Sequence, residues 1–312
     1  MAASPDTNAP SSQNTEPLVQ ERSQDRSDDT TFEDVLADYQ AINERLHRVA
    51  APLRLKNTHL CPKTERDPGF ITHRLTDYPP SLHDIAKALL GVKDNGIFIR
   101  TVREGSPADG AKIEAGDQLL KLNGIDIPQP SHDRTVIATE RFYKALAGQA
   151  FNAEQTRLTL KTQAGHIYGT SLTAQTACAA PVTVVFSEDI NGHTDGTEII
   201  ITSALMRAIA DDTNLALIIA HEMGHIIAGH AGQEPSQLLE LQADRMALVI
   251  MENAGYDIDS AIAYWQDAAH PHSSQQGRSS SHPSIEARLL NFTTERARIR
   301  RQQALGDTLA FE

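Results

Sequence analysis

The sequence predicts an α+β protein in which a small strand-rich unit is joined to a larger helix-rich one. Three observations carry this expectation. Between residues 66 and 176, short β-type runs bounded by Gly, Asn and Asp recur. Over 177–312 long helical runs dominate, with two strand-like runs at their start. The chain of 312 residues, 40% of them apolar, is long enough to bury one or two cores.

Taken in order, residues 1–30 are rich in Ser, Thr, Asn, Gln, Asp and Pro and are expected to form a disordered tail. In 31–65, Phe32, Val35, Leu36, Tyr39, Ile42, Leu46 and Val49 recur at three- and four-residue spacing. That spacing predicts an amphipathic helix, capped by Thr30 or Thr31, that packs on the globule. The runs GIFIRTV (96–102), DQLLKLNGIDI (117–127) and TRLTLKT (156–162) read as strands, and TERFYKALAG (139–148) as a helix stopped by glycine. Further on, PVTVVFS and TEIIITSALM read as strands, the second running into a helix. DTNLALIIAHEMGHIIAGH is a helix starting near Asp212 or Thr213, and SQLLELQADRMALVIMENAG a second one ended by Gly255.

A net charge of −13 and the lack of a basic patch argue against nucleic acid or an anionic membrane as partner. No window reaches the roughly 18 apolar residues of a transmembrane helix, and no signal peptide precedes residue 30. Two cysteines, Cys61 and Cys178, are too few for a zinc knuckle and too far apart for a redox pair, and are either free thiols or one disulfide. A disulfide would tie the entry of the strand-rich unit to its exit.

Within 66–176, Gly105-Ser106-Pro107-Ala108, then Gly116-Asp117, then Asn123-Gly124 follow in order between strands. Ser106 suits the cap of a short helix with Pro107 at its first position, and Asn123-Gly124 suits a tight hairpin. On these residues the region resembles a PDZ domain of the bacterial protease-associated kind. It departs from that pattern at Ala111-Lys112-Ile113, where a glycine of the usual turn is missing. The resemblance implies a peptide added as a strand at a sheet edge. The candidate loop is Asp67-Pro68-Gly69-Phe70, with Gly69, Phe70 and Ile71 as peptide-binding residues and the helix at 139–147 as the other wall. The alternative is a domain that only braces its neighbour.

The chemistry is concentrated in LALIIAHEMGHIIAGH, 215–230, where polar groups interrupt an apolar helix. Burying ionisable groups there is unfavourable unless they are paired or bind a metal. His221 and His225 stand four residues apart on one helical face, so both imidazoles reach one metal. Glu222 is offset to the side, placed to take a proton from a metal-activated water and pass it to a leaving amine. Gly224 leaves room for a neighbouring segment. On the next helix Glu240 and Asp244 are again four apart; Glu240 reads as the third ligand and Asp244 as the acceptor that orients His221. His193, His230, His270 and His272 read as incidental surface or loop histidines.

HEMGH, then ELQAD, then SHPSIEAR resembles the HtpX and CAAX prenyl protease type of zinc metallopeptidase. The resemblance spans 181 to about 300 and implies a helix-rich zincin-type domain beside the small β-rich PDZ-like one, with one Zn2+ per chain. By the same matching, His282 is the histidine near the zinc, acting either on the oxyanion or as a gate on the open position, and Arg288 is the family's arginine. The implied function is an endopeptidase cutting protein or peptide substrates, misfolded or envelope proteins among them, in a periplasmic or other extracytoplasmic compartment, or in the cytoplasm if the cysteines stay reduced. The alternative is a latent or non-catalytic zinc protein in which the PDZ-like domain serves a binding or chaperone-like role.

Overall fold

The computed structural model describes residues 31–93, 96–127, 151, 154–266 and 283–309. The tail 1–30, the helix expected at 139–148, His270, His272 and His282 lie outside them.

Helix α1 (Phe32–Lys56) begins at Thr31, whose hydroxyl accepts from the Asp34 N–H while the Asp34 carboxylate accepts from the Thr31 N–H. This reciprocal box satisfies two amides that a helix start otherwise leaves without partners. Its apolar stripe is buried at Leu36, Ile42, Leu46, Val49 and Leu53, whereas Phe32 stays 65% exposed ahead of the stripe.

The strand-rich unit is an antiparallel sheet of β2 (Phe70–His73), β3 (Ile97–Val102), β4 (Gln118–Leu122), β6 (Thr156–Lys161) and β7 (Ile167–Leu172), in that order, with β5 (Ile125–Asp126) paired to β4. Strand β2 is therefore an edge among the described residues. The turn between β4 and β5 places Asn123 at φ 50° and Gly124 at φ 84°. Two consecutive positive φ values match the twist of a two-residue hairpin, which is why Asn-Gly stands there. Ser106 caps the short α3 (Pro107–Gly110), with α2 (His83–Leu90) earlier in the chain. Lys112 takes φ 60°, so the left-handed turn is kept where the related pattern has glycine.

Strand β1 (Thr64–Asp67) pairs antiparallel with β8 (Gln175–Cys178), Thr64 opposite Cys178. At the end of this pair Cys178 is joined by a disulfide to Cys61, with 5.6 Å between the α-carbons. The entry and exit of the strand-rich unit thus meet at one neck.

The helix-rich part opens with a three-stranded sheet, β9 (Val182–Val185) parallel to β11 (Ile199–Thr202) and β10 (Gly192–Thr194) antiparallel to it. Thr202 caps α4 (Ser203–Ala208). Then follow α5 (Asp212–Ala228), α6 (Gln237–Ala254), α7 (Ile258–Gln266) and α8 (Ile285–Leu305). Their core contains Ile199, Ile201, Leu215, Leu217, Leu248 and Phe292 and also Leu46, Val49 and Leu53 of α1, all in one cluster. Each such side chain contributes about 1.5–3 kcal/mol when fully buried. Helix α1 is thus a wall of this core, and Arg45 and Arg48 pair with Asp212 at the start of α5 to fix it there. No helix among the described residues is long and apolar enough to cross a membrane.

Candidate metal centre

Helix α5 is set by its ends. The helix starts at Asp212, and the carboxylate of Asp211 before it accepts from the Thr213 and Asn214 N–H groups, while Gly229 at φ 67° closes the last turn. Between them the helix is buried on every side from Leu215 to Ala220, and His221, Glu222 and His225 follow in its second half, each half-buried. Helix α6 is capped by Ser236 and ended by Gly255 at φ 83°. The two helices approach at Gly224, where a β-carbon would lie 3.0 Å from the Ala243 carbonyl oxygen. This close crossing brings Glu240 and Asp244 to the histidines. Leu238, counted from sequence among the apolar neighbours of these acids, is in fact exposed.

The structure brings His221, His225 and Glu240 together, with one ligand atom of each within 4.8 Å of the others. His221 Nε2 and His225 Nε2 face each other at 3.1 Å, and the Glu240 carboxylate oxygens lie 3.5 Å from each ring. A tetrahedral ion with bonds of about 2.0–2.1 Å would hold its ligand atoms about 3.3 Å apart, so two imidazoles and a carboxylate at these separations fit zinc. Two ring nitrogens at 3.1 Å need a cation or a proton between them. Burial works against the charged His221 ring, but its hydrogen bonds to Asp244 and Glu240 carry its pKa up to about 9. His225, pushed down by burial and by the charge on His221, falls to about 4.

His221 Nδ1 is 2.9 Å from Asp244 Oδ1. Asp244 is fully buried and paired with Arg288, whose Nε donates to Oδ2 at 2.8 Å and whose second nitrogen donates to Oδ1. Burial disfavours this carboxylate, but the Arg288 guanidinium and the His221 ring hold it below the usual range. Arg288 in turn lies over the Trp265 ring, 4.2 Å from its centroid, which fills the side of the cation that makes no hydrogen bond. Glu222 lies on α5 beside His221, half-buried.

One expectation needs correction. His230 is not an incidental surface histidine: it is 7% exposed, its Nδ1 is 2.8 Å from His225 Nδ1, and its Nε2 is 3.1 Å from Gln242 Oε1. His193, on β10, is exposed.

At the other candidate site Gly69 takes φ 88°, Phe70 is buried in the sheet core, and Ile71 is half-buried on the edge strand β2. The Gly69 N–H donates to Asp67 Oδ1 at 2.7 Å. Asp67 is 5% exposed and paired with Arg103 at 3.2 Å and Arg54 at 3.6 Å. A residue read as part of an open loop is therefore the centre of a buried ion cluster tying that loop to α1.

The fold and the cluster define an α+β protein with a set of metal-ligand side chains on paired helices and a separate antiparallel sheet. Comparison with known families agrees: residues 81–147 match the PDZ domain and residues 179–239 match Peptidase family M48. Among curated proteins, Tax1-binding protein 3 homolog of Caenorhabditis elegans is 42% identical over 53 residues, covering 17% of this chain and 43% of that protein. Tight junction protein ZO-3 of Canis lupus familiaris is 52% identical over 52 residues, 17% of this chain and 6% of that protein. The chain thus spans less than half the length of either relative. A solved HtrA3 PDZ domain, bound to a phage-derived ligand, matches at 20% identity and a TM-score of 0.26, covering 36% of this chain and 89% of that one.

Proposed function

We propose that the chain is a zinc-dependent endopeptidase whose PDZ domain recognises peptide. The observation that carries the reading is the convergence of His221 Nε2, His225 Nε2 and the Glu240 carboxylate on one point beside Glu222. When bound there, zinc supplies a Lewis acid that polarises the scissile carbonyl and brings a water's pKa towards roughly 7. Glu222 takes the proton as the water oxygen adds to the carbonyl carbon, and delivers it to the amine nitrogen as the C–N bond breaks. Asp244, anchored by Arg288, holds the His221 ring. The PDZ domain receives an extended peptide along β2, an edge among the described residues, backbone to backbone.

The disulfide supports an oxidising compartment, since such bonds persist there and are reduced in the cytosol. The test of the activity is metal analysis combined with proteolysis of unfolded model proteins. Wild type and Glu222→Gln each bind about one zinc, and only wild type cleaves. Equal cleavage by both proteins would sink the mechanism.

A further inference from the structure

Helix α5 ends at Gly229, and His230 stands five positions after His225. An uninterrupted helix would carry His230 about 140° round the axis from His225. The left-handed Gly229 instead folds the chain back, the His230 N–H donates to the His225 carbonyl at 3.0 Å, and the His230 ring comes beneath the His225 ring with 4.9 Å between centroids. This places a second imidazole, itself buried, on the side of His225 away from the centre. Behind it stands Gln242, an exposed residue of α6, reaching His230 through Oε1.

The direction of the hydrogen bonds follows from what each atom can do. Gln242 Oε1 only accepts, so His230 Nε2 carries the proton. With its proton on Nε2, His230 offers a lone pair at Nδ1, and His225 Nδ1–H donates to it across 2.8 Å. That leaves the His225 Nε2 lone pair facing His221 Nε2 and Glu240. Helix α6 thereby serves both histidines: Asp244 reaches His221 directly, and Gln242 reaches His225 through His230.

We propose that His230 is a positioning residue of the metal centre: backed by Gln242, it fixes the tautomer and ring angle of His225 so that Nε2 is presented to the metal. The inference rests on the reading of the centre as a zinc site. It predicts a defect in metal binding itself, separable from catalysis. In His230→Phe the His225 Nδ1–H is buried without an acceptor, and zinc affinity measured by chelator competition falls about 10- to 100-fold, the usual effect of losing such an outer partner. His230→Asn, whose side-chain carbonyl accepts, recovers part of the loss. At the exposed Gln242 the fold is not at risk. Gln242→Glu, acceptor only, preserves the required direction, and Gln242→Lys, donor only, opposes it, so zinc affinity falls in the lysine variant well below that of the glutamate variant.

Cobalt(II) bound in place of zinc gives a visible spectrum that shifts in His230→Phe and returns towards wild type in His230→Asn. Wild-type zinc affinity in both His230→Phe and Gln242→Lys overturns the inference while leaving the zinc reading intact. A wild-type chain that binds no zinc overturns both.

Discussion

The α-carbon of Gly224 faces the backbone of Ala243 so closely that an added methyl group would lie 3.0 Å from the Ala243 carbonyl oxygen and 3.2 Å from its α-carbon. That contact sets the distance between the helix carrying the histidines and the helix carrying Glu240. Gly224→Ala must push the helices apart by a few tenths of an ångström, at a cost of about 1–3 kcal/mol for overpacking. The expected result is a folded protein with weaker zinc binding, read by thermal melting and chelator competition. Unchanged zinc affinity would mean that the crossing does not control the centre.

The two acids of α6 should separate in their effects. Glu240→Gln abolishes cleavage and weakens zinc binding, because a ligand is lost. Asp244→Asn keeps part of the metal and lowers activity by about 10- to 100-fold. Full zinc occupancy with normal turnover in Glu240→Gln would require another ligand.

Removing the partner of a buried charge is costlier than removing a surface one. Arg288→Met leaves Asp244, fully buried, without its guanidinium. The expected loss is about 3–5 kcal/mol in denaturant unfolding. A loss below about 1 kcal/mol, the range of exposed pairs, would show that Asp244 has another source of compensation.

Acid sensitivity should come from the buried histidines of α1 and β2 rather than from the metal centre alone. Burial lowers His73 to about 3 and His47 to about 4, from 6.5. The unfolded chain therefore binds more protons than the folded one below pH 6.5. The stability held by these neutral rings is complete above that pH and is lost as pH falls towards 4 and then 3. Each ring contributes a slope of up to about 1.4 kcal/mol per pH unit. Urea midpoints measured from pH 7 to 4 should fall less steeply in His73→Gln than in wild type; parallel curves would count against this assignment.

The disulfide should be a large part of the stability. Reduction, or Cys178→Ser, is expected to cost about 2–5 kcal/mol. A thiol count on the unreduced, unfolded chain should find no free thiol among the described cysteines.

What was legible in the sequence was local. Four-residue spacing put His221 with His225 and Glu240 with Asp244, because a helix repeats its face at that interval. Asn123-Gly124 and Ser106-Pro107 announced their turns because only a few residues suit those backbone angles. His230 was hidden because Gly229 breaks the helical phase that spacing arguments assume. A glycine followed at once by histidine, directly after a metal helix, was the available signal. Asp67 was hidden for another reason: its partners Arg54 and Arg103 lie on different elements, and no local pattern links them. The helix at 139–148 and His282 lie outside the described residues.

The covalent link at the neck has one more consequence. Cys61 and Cys178, 117 positions apart in sequence, enclose every residue between them in a single covalent ring. A protease that nicks the chain anywhere inside that ring produces two polypeptides that still migrate as one until a reductant is added. Self-cleavage within the PDZ domain would therefore leave the mass on a non-reducing gel unchanged, while reducing and non-reducing lanes loaded side by side would reveal the cut.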